Sequence, residues 1–272
     1  MALFRGLTFD GVNSLNYGIY LTGEAVYNAP ERAVEMVAIP GKNGAVALDQ
    51  GYFENIEVTY LAGCFADSQE DFATKVSAFR NALASRYNYK RLSDDYNADE
   101  YRIGLYKSGL EVEAASYHRA AEFEIAFDCK PQRFLTSGET PYSFVTTWQG
   151  LTDENSVQLQ NESGVDIEGG TNVSMSLVNP TLFEAKPLLK ATGSGTIGIG
   201  SQTITIAGVP ASTEIYIDCE TMEIYTLSGG IASGASSHVT FNSNDFPTIP
   251  KGTSGVSYTT QGLEIIPRWW RI

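Results

Sequence analysis

The spacing that could carry chemistry most directly is Gly193-Ser-Gly195-Thr-Ile-Gly198, a GxGxxG run with Asp218 standing 20 residues after Gly198. In a dinucleotide site those glycines let the backbone approach a pyrophosphate, a helix N-terminus holds it, and the later carboxylate takes the ribose. The site therefore needs a helix after the glycines. The next residues are SQTITIAG, whose alternating β-branched side chains predict a strand, so the glycines are read as turn residues between strands. Asp95-Tyr-Asn97-Ala-Asp99 opens like a calcium loop, but Glu100 stands where the turn glycine belongs and Tyr106 where a bidentate glutamate is needed. A solvated acidic turn is expected there. The two histidines, His118 and His238, are isolated from other ligands in sequence, and Gly252-Thr-Ser254-Gly255-Val256 departs from the nucleophile-elbow pattern at its last position. Cys64, Cys129 and Cys219 are widely spaced in strand-like contexts with no CxxC, which predicts buried free thiols. No catalytic, cofactor-binding or metal site is predicted, and the chain is not read as an enzyme.

The elements around these residues fall into two textures. Asn55–Cys64 alternates through Ile56, Val58, Tyr60 and Ala62, and Ala121–Cys129 through Phe123, Ile125 and Phe127; both read as half-buried strands. Between them Phe72, Val76, Phe79 and Leu83 recur at helical spacing, predicting one helix over Ser68–Ser85 with Asp67 and Glu70 as its capping box. Pro30 and Pro40 flank the strand-like ERAVEMVAI, and Asn43-Gly44 signals a type I′ hairpin. This is either an ordinary hairpin or a projecting arm. Lys130–Ser143 reads as a boundary, and seven of the ten prolines and 15 of the 26 glycines lie in 140–272. Strands are expected there at Ser156–Gln160, Thr171–Val178, Leu188–Thr192, Thr196–Ile206, Glu214–Asp218, Met222–Leu227, Ser237–Phe241 and Leu263–Trp269. The fold class is mostly β: residues 1–138 form a β-sheet or sandwich domain packed with one helix, and residues 139–272 an antiparallel β-sandwich.

Of 272 residues, 18 are Lys or Arg and 32 Asp or Glu, giving a net charge of −14. The surplus is even: 13 basic against 20 acidic residues in 1–139, and 5 against 12 in 140–272. With no basic run to neutralise phosphates, specific nucleic-acid binding is not expected. The acidity serves either solubility or a surface that must let DNA pass without sticking. MALFRGLTFDG lacks the basic and apolar regions of a signal peptide, and no apolar run reaches the ~20 residues of a bilayer span, so no membrane association is expected.

Five segments, in order, resemble the distal tail protein (Dit) family of long-tailed bacteriophages and prophages. They are Tyr17–Gly44, Ser85–Arg102 (SRYNYKRLSDDYNADEYR), Asn179–Thr196 (NPTLFEAKPLLKATGSGT), Ile215–Tyr225 (IYIDCETMEIY) and Phe246–Ile272 (FPTIPKGTSGVSYTTQGLEIIPRWWRI). The resemblance implies a structural tail-tip, or baseplate, protein at the distal end of the virion, assembled in the host bacterial cytoplasm. It implies a homohexameric ring built by residues 1–138. The tail tube protein would lie on one side and the tail-associated lysin or tail-fibre hub on the other, with receptor-binding proteins at the periphery and DNA passing through the channel. No cofactor is implied. The hairpin residues Val34, Met36, Ile39, Asn43 and Gly44 become a candidate subunit-contact arm. The second domain would be galectin-like, which raises sugar binding as the alternative function. Against a galactoside site, SHVTFNSNDF supplies His238 and Asn242 but no arginine, and Trp269 and Trp270 sit at the far C-terminal end beside Arg268. Adjacent strand residues face opposite ways, so one of these tryptophans is expected in the core and the other on a rim or partner.

Overall fold

The computed structural model describes residues 4–25, 27–114, 119–145, 159–160, 166–167 and 173–272. His118 and most of the strand expected at Ser156–Gln160 lie outside them. Two compact units divide the chain, Met1–Phe134 with Ile272 and Leu135–Arg271.

In the first unit, period-two hydrophobicity becomes strands β1 (Leu7–Phe9), β2 (Val12–Asn13), β3 (Ile19–Leu21), β4 (Arg32–Ala38), β5 (Ala45–Phe53) and β6 (Ile56–Phe65). After helix α1 (Gln69–Ala84) come β7 (Lys90–Asp94), β8 (Glu100–Leu105) and β9 (Ala120–Leu135). One antiparallel sheet runs β2-β1-β7-β8-β9-β6-β3, while β4 and β5 pair only with each other. The ladder between β6 and β9 runs unbroken from Ile56↔Cys129 to Phe65↔Ala120. Pairing puts Val58 opposite Phe127, Tyr60 opposite Ile125 and Ala62 opposite Phe123, and all six are buried. Their neighbours Glu122 and Glu124 point outward and are exposed.

Helix α1 covers this core with Phe72, Phe79 and Leu83. It starts one residue later than its sequence signal suggests. Ser68 is the N-cap, accepting from the Asp71 N–H at 3.1 Å, and the Asp71 carboxylate reaches back to accept from the N–H of the preceding residue, Asp67, at 3.2 Å. Ser68 and Asp71 thus replace Asp67 and Glu70 as the capping box. Asp71 also pairs with Lys75 one turn on, at 2.7 Å. The helix is the one α-helix among the described residues, and none there is long and apolar enough to cross a membrane.

The second unit contains β10 (Tyr142–Val145), the short pair β11 (Leu159–Gln160) and β12 (Asp166–Ile167), β13 (Val173–Asn179), β14 (Leu188–Thr192), β15 (Gly195–Ile199) and β16 (Gln202–Ile206). It continues with β17 (Glu214–Asp218), β18 (Glu223–Ser228), β19 (Ile231–Gly234), β20 (Val239–Phe241), β21 (Gly252–Tyr258) and β22 (Gly262–Ile266). One sheet is ordered β10-β22-β14-β17-β18-β19 and the other β13-β21-β15-β16-β20. Leu189, Ile215, Ile217 and Ile265 of the first share one core with Ile197, Ile199, Ile204, Ile206 and Val256 of the second, which makes this unit an antiparallel sandwich. The single strand expected at Thr196–Ile206 is a hairpin, broken at Gly200 (φ +58°). The strand expected to reach Trp269 stops at Ile266, before Pro267. All three cysteines are free and buried, and burial pushes the Cys129 and Cys219 thiols up to about 12, so they act as small apolar groups.

The C-terminal end closes this unit. The Leu135 N–H donates to the Trp269 carbonyl and the Arg268 N–H to the Gly138 carbonyl, both at 2.8 Å. A Cβ at Gly138 would collide with the Trp269 backbone nitrogen, so only glycine lets the two segments approach this closely. Trp269 enters the core, while Trp270 stacks on Phe183 at 4.4 Å and donates its indole N–H to the Glu184 carbonyl at 2.9 Å.

Phe79, wholly buried against the sheet, anchors the helix. Phe79→Ala is expected to cost about 3–5 kcal/mol, read as a fall in the urea midpoint with an unchanged slope. A loss below about 1 kcal/mol would mean that the helix is not docked through this ring.

Candidate functional site

The β4–β5 hairpin is the feature that the first unit's own core does not explain. Its register sets Val34 opposite Asp49, Met36 opposite Ala47 and Ala38 opposite Ala45, with Glu35↔Leu48 and Val37↔Val46 on the other face. Directly opposed residues of an antiparallel pair share a face, so each face carries aliphatic groups. Val34 is 42% exposed, Met36 64%, Ile39 45% and Leu48 47%. A two-stranded hairpin alone is marginal in water, and these aliphatic side chains stand exposed on it. The base is held by the Glu54 N–H to the Glu31 carbonyl at 2.8 Å and by Arg32 with Asp49, 2.7 Å from Nε. Arg32 raises its own basicity by that bond and holds the Asp49 carboxyl below its ordinary range, helped by the Gly51 N–H.

The expected arm residues Val34, Met36, Ile39, Asn43 and Gly44 are all exposed on this hairpin. Its turn is not type I′. The connection spans residues 39–44, the Lys42 N–H bonds the Ile39 carbonyl at 3.1 Å, and positive φ falls at Gly41 and Gly44, both +81°. Asn43 does not adopt the left-handed conformation that a two-residue Asn-Gly turn demands.

The other sequence candidates are placed apart. Gly193 (φ +76°) lies in the turn between β14 and β15, but Gly198 sits inside β15, paired with Thr203 and Ser257, and is not a turn residue. A Cβ there would stand 2.5 Å from the Ser257 hydroxyl, which can rotate away. A strand succeeds the glycines, so no helix N-terminus faces them. Around the calcium-like stretch, Asp94 accepts the Tyr96 and Asn97 N–H groups at 3.0 and 3.1 Å, an Asx turn, and Asp95 accepts the Gly6 N–H at 2.7 Å. Glu100, expected on a solvated turn, is buried at 4% exposure because it opens β8 and faces Arg133 at 3.6 Å. Ser254 lies within strand β21. His238 Nδ1 meets the Ala207 carbonyl at 2.9 Å, and the Asn242 amide bridges the Ser201 carbonyl and the Thr203 N–H. Backbone thus engages one ring nitrogen of His238 and both ends of the Asn242 amide. Among the described residues no group of His, Cys, Asp and Glu gathers as for a metal ion.

No protein-family model and no curated protein matches the chain. Its fold is that of the phage SPP1 Dit protein, a crystal structure described as a paradigm of the hub adsorption apparatus in phages infecting Gram-positive bacteria. That match has a TM-score of 0.67 at 11% identity and covers 97% of this chain and 98% of that one. The phage P2 baseplate in its activated conformation is also similar, in its calcium and strontium forms. Each scores 0.48 at 11% identity, covering 94% and 93% of this chain and 98% and 97% of theirs.

One ion pair invisible to local sequence organises the second unit. Arg268, at φ +56°, forks onto Asp218 with N–H···O distances of 2.7 and 2.8 Å. Burial would raise the Asp218 carboxyl, but this fork and the Thr221 and Glu220 N–H groups outweigh it and hold it below its usual range. A carboxyl depressed on folding stabilises above its unfolded pKa, about 3.9, and loses that contribution as pH falls through the lower folded value. Asp218→Asn is therefore expected to cost about 1.5–3 kcal/mol at pH 7, with wild type and variant converging below about pH 4. Thermal melts from pH 7 to pH 3 check this, and a gap that stays constant would remove the ionic reading.

Proposed function

We propose that this chain is a distal tail protein of a long-tailed phage, a non-enzymatic ring subunit at the tail tip. The observation that carries the reading is the agreement with the SPP1 Dit fold along both units and nearly the full length of both chains. The five sequence segments point the same way and are independent of the fold. In this reading residues 1–138 build a homohexameric ring and residues 139–272 form its peripheral, galectin-like domain. The tail tube protein binds one side and the tail-associated lysin or fibre hub the other, with receptor-binding proteins attached outside. The protein resides in the virion after assembly in the bacterial cytoplasm.

The β4–β5 hairpin supplies the contact. Seating Val34, Met36 and Ile39 on a neighbouring copy removes apolar area from water at roughly 25 cal/mol per Å², with Asn43 and Gly44 at the tip. Closure of a ring repeats this contact at every interface, so one hairpin's modest gain is multiplied by the symmetry. Electron micrographs of the full chain at high concentration are expected to show sixfold rings with a central hole. Val34→Glu with Met36→Glu, both at exposed positions, is expected to abolish the rings while leaving the melting temperature nearly unchanged. A wild type that never forms rings would overturn the assembly, whereas a double variant that still forms them would move the contact elsewhere.

Acidity suits a conduit. Six copies carry a formal charge of 6 × −14 = −84, and screening over about 8 Å at physiological salt keeps repulsion of DNA short-ranged. A basic wall would instead retain the genome through counterion release. The purified protein is expected not to retard duplex DNA at low salt. Retardation that weakens steeply as salt is added would contradict the passage role.

A further inference from the structure

A second uncovered apolar surface lies on the first unit, away from the hairpin. Along β6, Leu61, Gly63 and Phe65 alternate onto the face of the sheet opposite to Ala62 and Cys64, which belong to the core that helix α1 covers. Tyr20 of the end strand β3 stands opposite Gly63 on this outer face, and Phe4 packs on Tyr20 with ring centroids 4.5 Å apart. Phe4 and Phe65 are each 62% exposed and Leu61 41%.

The hairpin is the matching half. Val34, Met36, Ile39 and Leu48 project without a cover, and the chain does not supply one itself, since both surfaces stand exposed together. The hairpin ends at Phe53, just before the Ile56 end of β6, whereas Leu61 and Phe65 lie toward the other end, roughly 17–30 Å along the strand. Two different surfaces set apart on one subunit suit a head-to-tail contact, whereas a two-fold dimer would set one patch against itself. Charge agrees with this pairing. Glu124 and Glu122 on β9 lie directly opposite Leu61 and Gly63 and are exposed, so carboxylates border the patch. Of the two basic residues between Glu31 and Glu54, Arg32 is committed to Asp49, and Lys42 stands exposed at the hairpin's tip. Lys75, near the Phe65 end, is already answered by Asp71.

We propose that the outer face formed by Phe4, Tyr20, Leu61 and Phe65 is the seat of the β4–β5 hairpin of a neighbouring copy. Val34, Met36 and Ile39 rest on its apolar side chains, and Lys42 meets Glu122 and Glu124. This seat presupposes the ring proposed above and names the surface that the arm meets there. Each copy offers one arm and one seat, so a closed ring leaves neither uncovered.

The test uses two variants of the full chain that each break a different half. Val34→Glu with Met36→Glu spoils the arm and keeps the seat, and Leu61→Ser with Phe65→Ser spoils the seat and keeps the arm. Each alone is expected to sediment as a monomer where the wild type forms rings. An equimolar mixture is expected to give pairs of chains and nothing larger, because only one intact arm and one intact seat meet. The mixture is read at about tenfold higher concentration, since a single contact lacks the help of ring closure. Rings formed by the serine variant would overturn the seat and leave the ring standing. Monomeric variants that do not pair on mixing would also overturn it, by showing that the two surfaces do not belong to one contact. A wild type that never assembles removes the ring and its seat together. Should the serine variant melt well below the wild type, Met36→Cys with Phe65→Cys and a short thiol-specific cross-linker decide, the native cysteines being buried. A ladder of multimers supports the seat, and links confined to single chains, or none, reject it.

Discussion

The ladder between β6 and β9 is the constraint on which the first unit rests. A strand pair this long satisfies its backbone groups only if the register holds throughout, and a one-residue slip would turn every buried side chain outward. Val58, Tyr60 and Ala62 on one strand and Phe123, Ile125 and Phe127 on the other would then exchange places with Glu57, Thr59, Glu122 and Glu124. The cost of burying those carboxylates without partners fixes the register, and the register fixes which face the helix can cover. Phe72, Phe79 and Leu83 dock where the alternation has already laid down an apolar surface.

Legibility in the sequence depends on the range of the interaction. Period-two and period-3.6 patterns act over a few residues, and so β6 and α1 can be read almost to their ends, whereas β9 runs six residues past Cys129 into the stretch read as a boundary. The helix cap is displaced by one position because Asp67 and Ser68 are both good N-cap types, and only the bond from Asp71 separates them. The broken strand has a local signal: Ile197 and Ile199 alternate in one phase and Ile204 and Ile206 in the other, which a single strand cannot accommodate. No such signal exists for Asp218 with Arg268 or Glu100 with Arg133. Those partners lie far apart in the chain, and only the folded sheets bring them together. The exposure of Val34, Met36, Ile39, Asn43 and Gly44 can be read from sequence because it needs only alternation and a turn. The turn's geometry cannot, since Asn-Gly suggests one class of turn and the glycine at position 41 selects another.

Both units handle charge sparingly in their interiors and freely at their surfaces. The acidic surplus is spread over the whole chain, while the buried ionic groups are few and mostly answered: Asp218 by Arg268, Glu100 by Arg133. Arg102, buried on β8 with neither Nη1 nor Nη2 hydrogen-bonded, is the departure from that rule. The hairpin is a corresponding departure for apolar groups, since Val34, Met36, Ile39 and Leu48 stand in water together on two strands. Each departure is local and leaves the surrounding core intact.

The hydrogen bonds that tie Leu135 to Trp269 and Gly138 to Arg268 make the entrance and the exit of the sandwich neighbours. A unit closed in this way behaves as a cassette. The chain can be lengthened, shortened or replaced between those two points without changing the separation of the ends presented to whatever is attached to them. Variation can therefore accumulate in the loops of the sandwich while those two ends stay together. The residue that guards this freedom is Gly138, whose missing side chain lets the two ends meet.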